Sequence, residues 1–104
     1  MNKKEFVKAV EEGRKNFDDE DLSGLRLEGL DLCGLSFRRT DLEDVSFMGS
    51  TLRNCDFRDA KMPNVELKYT DLENSQFQGH ELDGLDTSES FMEGVVVHQG
   101  LFAR

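Results

Sequence analysis

The chain has 104 residues, of which 37% are hydrophobic, and it carries 22 acidic against 13 basic side chains for a formal net charge of −9. That apolar content is thin for a single round core in a chain of this size, and the negative excess argues against direct binding to a phosphate backbone or an anionic membrane surface. No apolar run reaches the length of a membrane span, and two cysteines, Cys33 and Cys55, suggest neither a zinc site nor a disulfide framework, so a soluble, cytoplasmic protein with reduced thiols is expected.

Residues 1–16 read as a short N-terminal capping helix. Asn2 and Glu5 stand at capping-box spacing, Phe6 and Val10 share a face, and Gly13 can stop the helix. The apolar stripe should cover the first coil of the repeating segment next to it, because a stacked structure otherwise exposes unpaired backbone at its ends.

Residues 17–86 carry the main signal, an internal period of five. A large apolar residue recurs without a gap at Leu22, Leu27, Leu32, Phe37, Leu42, Phe47, Leu52, Phe57, Met62, Leu67, Leu72, Phe77 and Leu82. The residue two before each of these centres is small or apolar almost throughout, as in Leu35, Thr40, Val45, Ser50, Cys55, Ala60 and Val65. Positions two apart share one face of an extended segment, but a period of five persists in neither a straight strand nor an α-helix. The phase must therefore be reset by a turn in every unit. The residue two after the centre is commonly Gly, Asn or Asp, as in Gly24, Gly49, Asn54 and Asn74, types that tolerate positive φ, and the single proline, Pro63, directly precedes Asn64. A second period of twenty aligns Phe17, Phe37, Phe57 and Phe77, continued by Val97, and likewise Leu25, Val45, Val65 and Leu85. Like residues twenty apart imply four short extended pieces and four turns per coil, with Phe37, Phe57 and Phe77 as a core stack. Leucine-rich repeats have longer units, and a β-sandwich with chance patterning would not hold a period of five for this long.

Segments such as Thr40-Asp41-Leu42-Glu43-Asp44 and Thr70-Asp71-Leu72-Glu73-Asn74 resemble the loose motif of the pentapeptide-repeat proteins, and the resemblance runs from about residue 20 to at least residue 84. It implies an all-β solenoid, a right-handed quadrilateral β-helix of about four coils; the handedness comes from the resemblance alone. Some members of that family are similar to duplex DNA in size, shape and charge and bind the DNA-gripping surface of type II topoisomerases. This chain is much shorter than those members and has no long loop interrupting its coils, so another basic nucleic-acid-binding protein would serve equally as its partner.

Residues 87–104 diverge. Thr87 takes a centre position, Phe91 falls out of phase, and Met92, Val97 and Phe102 resume the pattern loosely. No cap is apparent at this end, so Phe91, Val95, Val96, Val97, Leu101 and Phe102 are expected to form a homodimer interface, closing at two by an isologous contact. The alternative is that the segment folds back over its own coil.

Allotting the outward residues to faces makes the molecule electrically sided. The face of centres 22, 42, 62 and 82 carries Asp21, Asp41, Glu43, Asp44, Glu81 and Asp83 against Lys61, and is the expected contact for a basic protein partner. Arg38, Arg39 and Arg58 offset Asp56 and Asp59 on the face of centres 37, 57, 77 and 97. His80 falls at an inward position, His98 lies near the expected interface, and neither has partners at a metal-ligand spacing. Tyr69 and Met48 project from one face and could anchor a partner. No phosphate loop, nucleophile elbow or catalytic triad spacing is present, and a filled solenoid offers no desolvated pocket; no catalytic residue, metal or cofactor is expected. The expected function is protein binding through mimicry of DNA, inhibiting or regulating a DNA-acting enzyme, with a structural spacer as the alternative.

Overall fold

The computed structural model of the chain describes residues 1–78, 82 and 84–98. The elements in order are helix α1, Lys3–Glu11, and strands β1, Gln76–Gln78, and β2, Val96–His98. Between α1 and β1 the backbone alternates one bridge and one turn in every five residues.

Helix α1 is closed at both ends by its own sequence. The Glu5 N–H donates to Asn2 Oδ1 at 2.8 Å and the Asn2 N–H donates to Glu5 Oε1 at 2.9 Å, which satisfies two orphan donors reciprocally. At the other end Gly13 takes φ 95°, and the N–H groups of Arg14 and Gly13 donate to the carbonyls of Ala9 and Val10, each at 3.0 Å. These crossed bonds form a Schellman motif. Phe6 is fully buried, with its ring 4.7 Å from that of Phe17, and Val7, Ala9 and Val10 pack against the same core.

Beyond α1, the chain lies beside itself at a register of twenty. Parallel bridges join Asn16 to Ser36, Ser36 to Asp56 and Asp56 to Gln76, and the pairing of Gln76 with Val96 extends that column. Three further columns run through Asp21, Asp41 and Lys61, through Arg26, Ser46 and Glu66, and through Asp31, Thr51, Asp71 and Phe91. At each rung a centre residue donates forward, as Leu22 N–H does to the Asp41 carbonyl at 2.8 Å, while the bridged residue donates back, as Asp41 N–H does to the Glu20 carbonyl at 3.0 Å. The units then turn: in most of them the residue three after the centre donates to the centre's carbonyl, as in Val45 to Leu42 and Ser75 to Leu72, both at 3.0 Å, whereas the N–H groups of Leu30, Cys55 and Thr70 donate to the hydroxyls of Ser50, Ser75 and Ser90 twenty residues on. Every described turn residue two after a centre has positive φ and its predecessor does not, the signature of a type II turn. The fold is of the β-helix type, but little of it is sheet. Among the described residues only β1 and β2 form strands, three residues each, because a turn in every unit leaves one position free to pair and a continuous ladder needs more.

The core is a filled column. Centres from Phe17 to Phe77 are buried, as are the residues two before them from Leu35 onward, while Leu25 and Leu30 in the first coil are half-buried. Phe37, Phe57 and Phe77 stack with centroids 5.1 and 5.0 Å apart and rings tilted by 10° and 11°, while Phe47 meets Phe37 and Phe57 edge-on at 5.9 Å. Such contacts contribute about 0.5–1.5 kcal/mol per pair beyond area burial. Buried hydroxyls and a thiol fasten one coil to the next: Ser75 Oγ donates to the Leu52 carbonyl at 2.5 Å and accepts from the Cys55 N–H at 3.3 Å, and Cys55 Sγ donates to the Leu32 carbonyl at 3.1 Å.

Candidate functional site

The acidic face is assembled by the register. Asp21 and Asp41 are bridge partners, and Lys61 follows in the same column, so neighbouring backbones are about 4.8 Å apart. Both aspartates also serve the fold. Asp21 Oδ1 accepts from the Ser23 N–H at 3.0 Å and the Ser23 hydroxyl at 2.7 Å, and Asp41 Oδ1 accepts from the Glu43 N–H at 3.0 Å. The same bond recurs at Asn16, Asp31, Asp56, Asp71 and Asp86, each accepting from the N–H two residues on. The residue before the centre is thus an Asx turn that opens the type II turn. The repeated aspartate at this position was the available signal for that role, and charge counting alone passed over it. The hydrogen bonds from Ser23 hold the Asp21 carboxyl below its ordinary range, and those from Ser88 do the same for Asp86.

Ion pairs between coils thin the charge further. Lys61 Nζ lies 3.4 Å from Glu43 Oε2. The N-terminal ammonium of Met1 donates to the Asp21 carbonyl at 3.3 Å, bringing to this face a second cation that sequence reasoning had not placed there. Asp44 is exposed at φ 61° and has no ion-pair partner among the described residues. Glu81 and Asp83 lie outside the described residues. The arginines of the neighbouring faces are internally committed: Arg39 forks onto Asp19 at 2.9 and 3.2 Å, Arg58 onto Asp56 at 2.8 Å, and Arg53 lies 3.2 Å from both Asp71 and Glu73. Desolvation pushes the Asp56 carboxyl upward, but the Arg58 bonds outweigh it and hold the group low.

At the other end, Phe91, Val96 and Val97 are 66%, 47% and 38% exposed and Val95 is partly buried, while Leu101 and Phe102 lie outside the described residues. Phe91 stands in the column position that holds Asp71 one coil earlier, so its ring faces outward. The His98 ring nitrogen Nε2 and Gln76 Oε1 are 2.9 Å apart, and His80 lies outside the described residues.

A hollow of about 690 Å³ opens beside Met62, Val65 and Leu85, rimmed by Lys61, Glu66 and Asp86. Its described lining includes no histidine, cysteine or hydroxyl. Among the described residues no group of three or more His, Cys, Asp or Glu is placed to hold a metal ion, and no helix is long and apolar enough to cross a membrane. Cys33 and Cys55 are free thiols.

No curated protein matches the sequence. Among solved structures the chain is similar to a pentapeptide repeat protein (Rfr23) from the cyanobacterium Cyanothece 51142, at 12% identity over 92% of this chain and 95% of that one, with a TM-score of 0.40. It is also similar to a pentapeptide repeat protein from the Arabidopsis thaliana thylakoid lumen, at 14% identity over 78% of this chain and 63% of that one, with a TM-score of 0.30. The family model for pentapeptide repeats matches eight copies across residues 16–54 and 40–79. With that match spanning more than half of its length, and with one bridge and one turn in each five-residue unit from Asn16 to Ser75, the chain belongs to the pentapeptide repeat family.

Proposed function

We propose that this chain is a non-catalytic binding module, a right-handed, four-sided solenoid of about four coils whose acidic face engages the basic surface of a protein that itself acts on DNA. The observation that carries the reading is the column at Asp21 and Asp41 with Glu43 and Asp44 beside it, opposed by Lys61 and the terminal ammonium. Carboxylates stacked at a fixed spacing present a linear negative array, and such an array competes electrostatically for a groove that grips a phosphate backbone. Two free thiols fit a reducing, cytoplasmic setting.

The test is capture of a basic DNA-binding partner from host lysate, with duplex DNA as competitor. Asp21 and Asp41 hold turns, so the informative variant is Glu43→Lys combined with Asp44→Asn, which spares them. Capture should fall by at least tenfold while the far-UV dichroism is unchanged; undiminished capture, or capture insensitive to added salt, sinks the mapping. A spacer role is the second reading, favoured by the number of carboxylates engaged in Asx turns and in ion pairs within the chain. Under that reading no interaction responds to ionic strength.

We further propose that two copies join through the divergent end, where Phe91, Val96 and Val97 are exposed. Sedimentation at micromolar concentration should give twice the chain mass, and a single-chain mass rules the dimer out.

A further inference from the structure

Among the described residues the turn position two after each centre takes positive φ throughout, and three of them accept it without being Gly, Asn or Asp: Arg39 at 56°, Tyr69 at 59° and Glu89 at 60°. Arg39 is held there by its fork onto Asp19. Tyr69 and Glu89 have no such compensation, and they are neighbours. The Tyr69 N–H donates to the Ser88 carbonyl at 3.2 Å, which sets the turn of Glu89 directly against that of Tyr69. On the opposite side the Gly49 N–H donates to the Lys68 carbonyl at 3.2 Å. Open space stands over Gly49 and over Gly29 one coil further on, with nothing within 4 Å of where a Cβ would project.

The result is a bare shelf of backbone, a tyrosine 56% exposed beside it, and an exposed carboxylate on the far side. Neither the Tyr69 hydroxyl nor Glu89 has a hydrogen-bond or ion-pair partner among the described residues. Lys68, next to Tyr69 in the sequence, has its ammonium 3.8 Å from Asp86. The conformation itself is the type II turn of every unit, but it disfavours bulky side chains, and a tyrosine and a glutamate kept at two adjacent turns without a side-chain partner among the described residues point to a contact outside the chain.

We propose that Tyr69 and Glu89 form a seat for an arginine side chain of a protein partner. A planar guanidinium can lie on the tyrosine face and direct its N–H fork to a carboxylate one coil away, whereas a lysine ammonium reaches one of the two at a time. The molecule already pairs a guanidinium with a ring, Arg14 lying 4.5 Å from the centroid of Phe17. The negative charge of the chain selects a cationic protein over a nucleic acid, whose bases also stack on tyrosine. The proposal rests on the reading of a basic protein partner, and it concerns residues away from Glu43 and Asp44.

Tyr69 is the only tyrosine and the chain has no tryptophan, so intrinsic emission reports this seat alone. The probes are a blocked peptide alternating arginine and glycine, its lysine counterpart of equal charge, and a short oligothymidylate. The arginine peptide should quench the emission with an affinity about fivefold higher than the lysine peptide. Followed by calorimetry, Tyr69→Asn should erase that preference and raise the melting temperature, since asparagine suits the turn. Glu89→Gln should weaken arginine binding, while Glu43→Lys should weaken both peptides and leave their ratio intact. Equal affinity for the two peptides, an arginine preference that survives Tyr69→Asn, or quenching by the oligothymidylate alone overturns the seat. If both peptides still bind in the first two cases the acidic-face reading stands, and if neither binds at all both readings fall together.

Discussion

At the scale of single residues, the five-residue unit assigns each position a physical task, and substitutions should respond to the task more than to the chemistry of the residue type. Ser75 is buried and joins two successive coils, donating to the Leu52 carbonyl and accepting from the Cys55 N–H. Ser75→Ala strands both backbone groups in a dry interior and should cost about 1–3 kcal/mol in urea unfolding. Cys55→Ser keeps a donor toward the Leu32 carbonyl and should stay within about 1 kcal/mol of the parent. The thiol itself makes a sharper test. Burial pushes Cys55 up to about 12, and desolvation together with Asp31 also raises Cys33. A folded value above the unfolded one means that the native state retains its proton longer. Stability is therefore fully present below the ordinary thiol range near 8.5 and declines as the pH climbs from there toward 12. Alkylation at pH 8 should label Cys33 slowly and Cys55 only after denaturation, and rapid labelling of Cys55 in the native protein would show that the column is not closed around it. The inward positions were legible in the sequence because they repeat as apolar or small residues. The Asx role of Asp21 and Asp41 was hidden because an aspartate that caps a turn and one that meets a partner look alike in a charge tally.

At the scale of elements, the helix and the aromatic column are where local sequence and long-range packing meet. The signals at Asn2, Glu5 and Gly13 sufficed to mark α1, since capping depends on residues only a few positions apart. Asn2→Ala should lower stability by about 1 kcal/mol, whereas Phe6→Ala should cost about 3–5 kcal/mol, because Phe6 closes the column against Phe17 and Phe37. The two changes separate helix formation from helix docking, and a Phe6→Ala variant that melts with the parent would mean that α1 is not the lid of the stack. Phe57→Ala removes the ring between Phe37 and Phe77 and should cost a similar amount, read from the same unfolding curves. The shortness of the strands was less legible. A period of five reveals which side chains point inward, but the extent of pairing depends on how much backbone each turn consumes, and among the described residues that leaves isolated bridges outside Gln76–Gln78 and Val96–His98.

At the scale of the whole molecule, the register of twenty couples charges that a face-by-face tally of the sequence treats as free. Counting Asp21, Asp41, Glu43 and Asp44 against Lys61 omitted the terminal ammonium and the pairing of Glu43 with Lys61, both of which depend on coils meeting at a register of twenty. What remains is a chain with a net charge of −9, whose exposed cross-coil pairs, such as Lys68 with Asp86, contribute little because water and salt screen them. Two electrostatic effects then oppose one another as salt is added: screening weakens the pairs, and it also relieves the repulsion among carboxylates that folding brings together. The second should dominate, because acidic side chains outnumber basic ones and many of the pairs are loose, such as Arg26 with Glu66 at 3.9 Å and Arg38 with Asp59 at 3.9 Å. Thermal unfolding should therefore shift upward by a few degrees, corresponding to about 1 kcal/mol, between low salt and near-physiological salt. Acid should act in the opposite sense on the turns. Asp21, Asp31 and Asp86 are held below their ordinary range by the hydroxyl, thiol and backbone groups two residues on. Their stabilisation is complete above the unfolded value near 3.9 and disappears as the pH falls through the lower folded values. A melting temperature that falls as salt is added at pH 7 would show that the cross-coil pairs, and not the excess of carboxylates, govern the electrostatics of the rod. In that event a partner would meet a surface already neutralised from within.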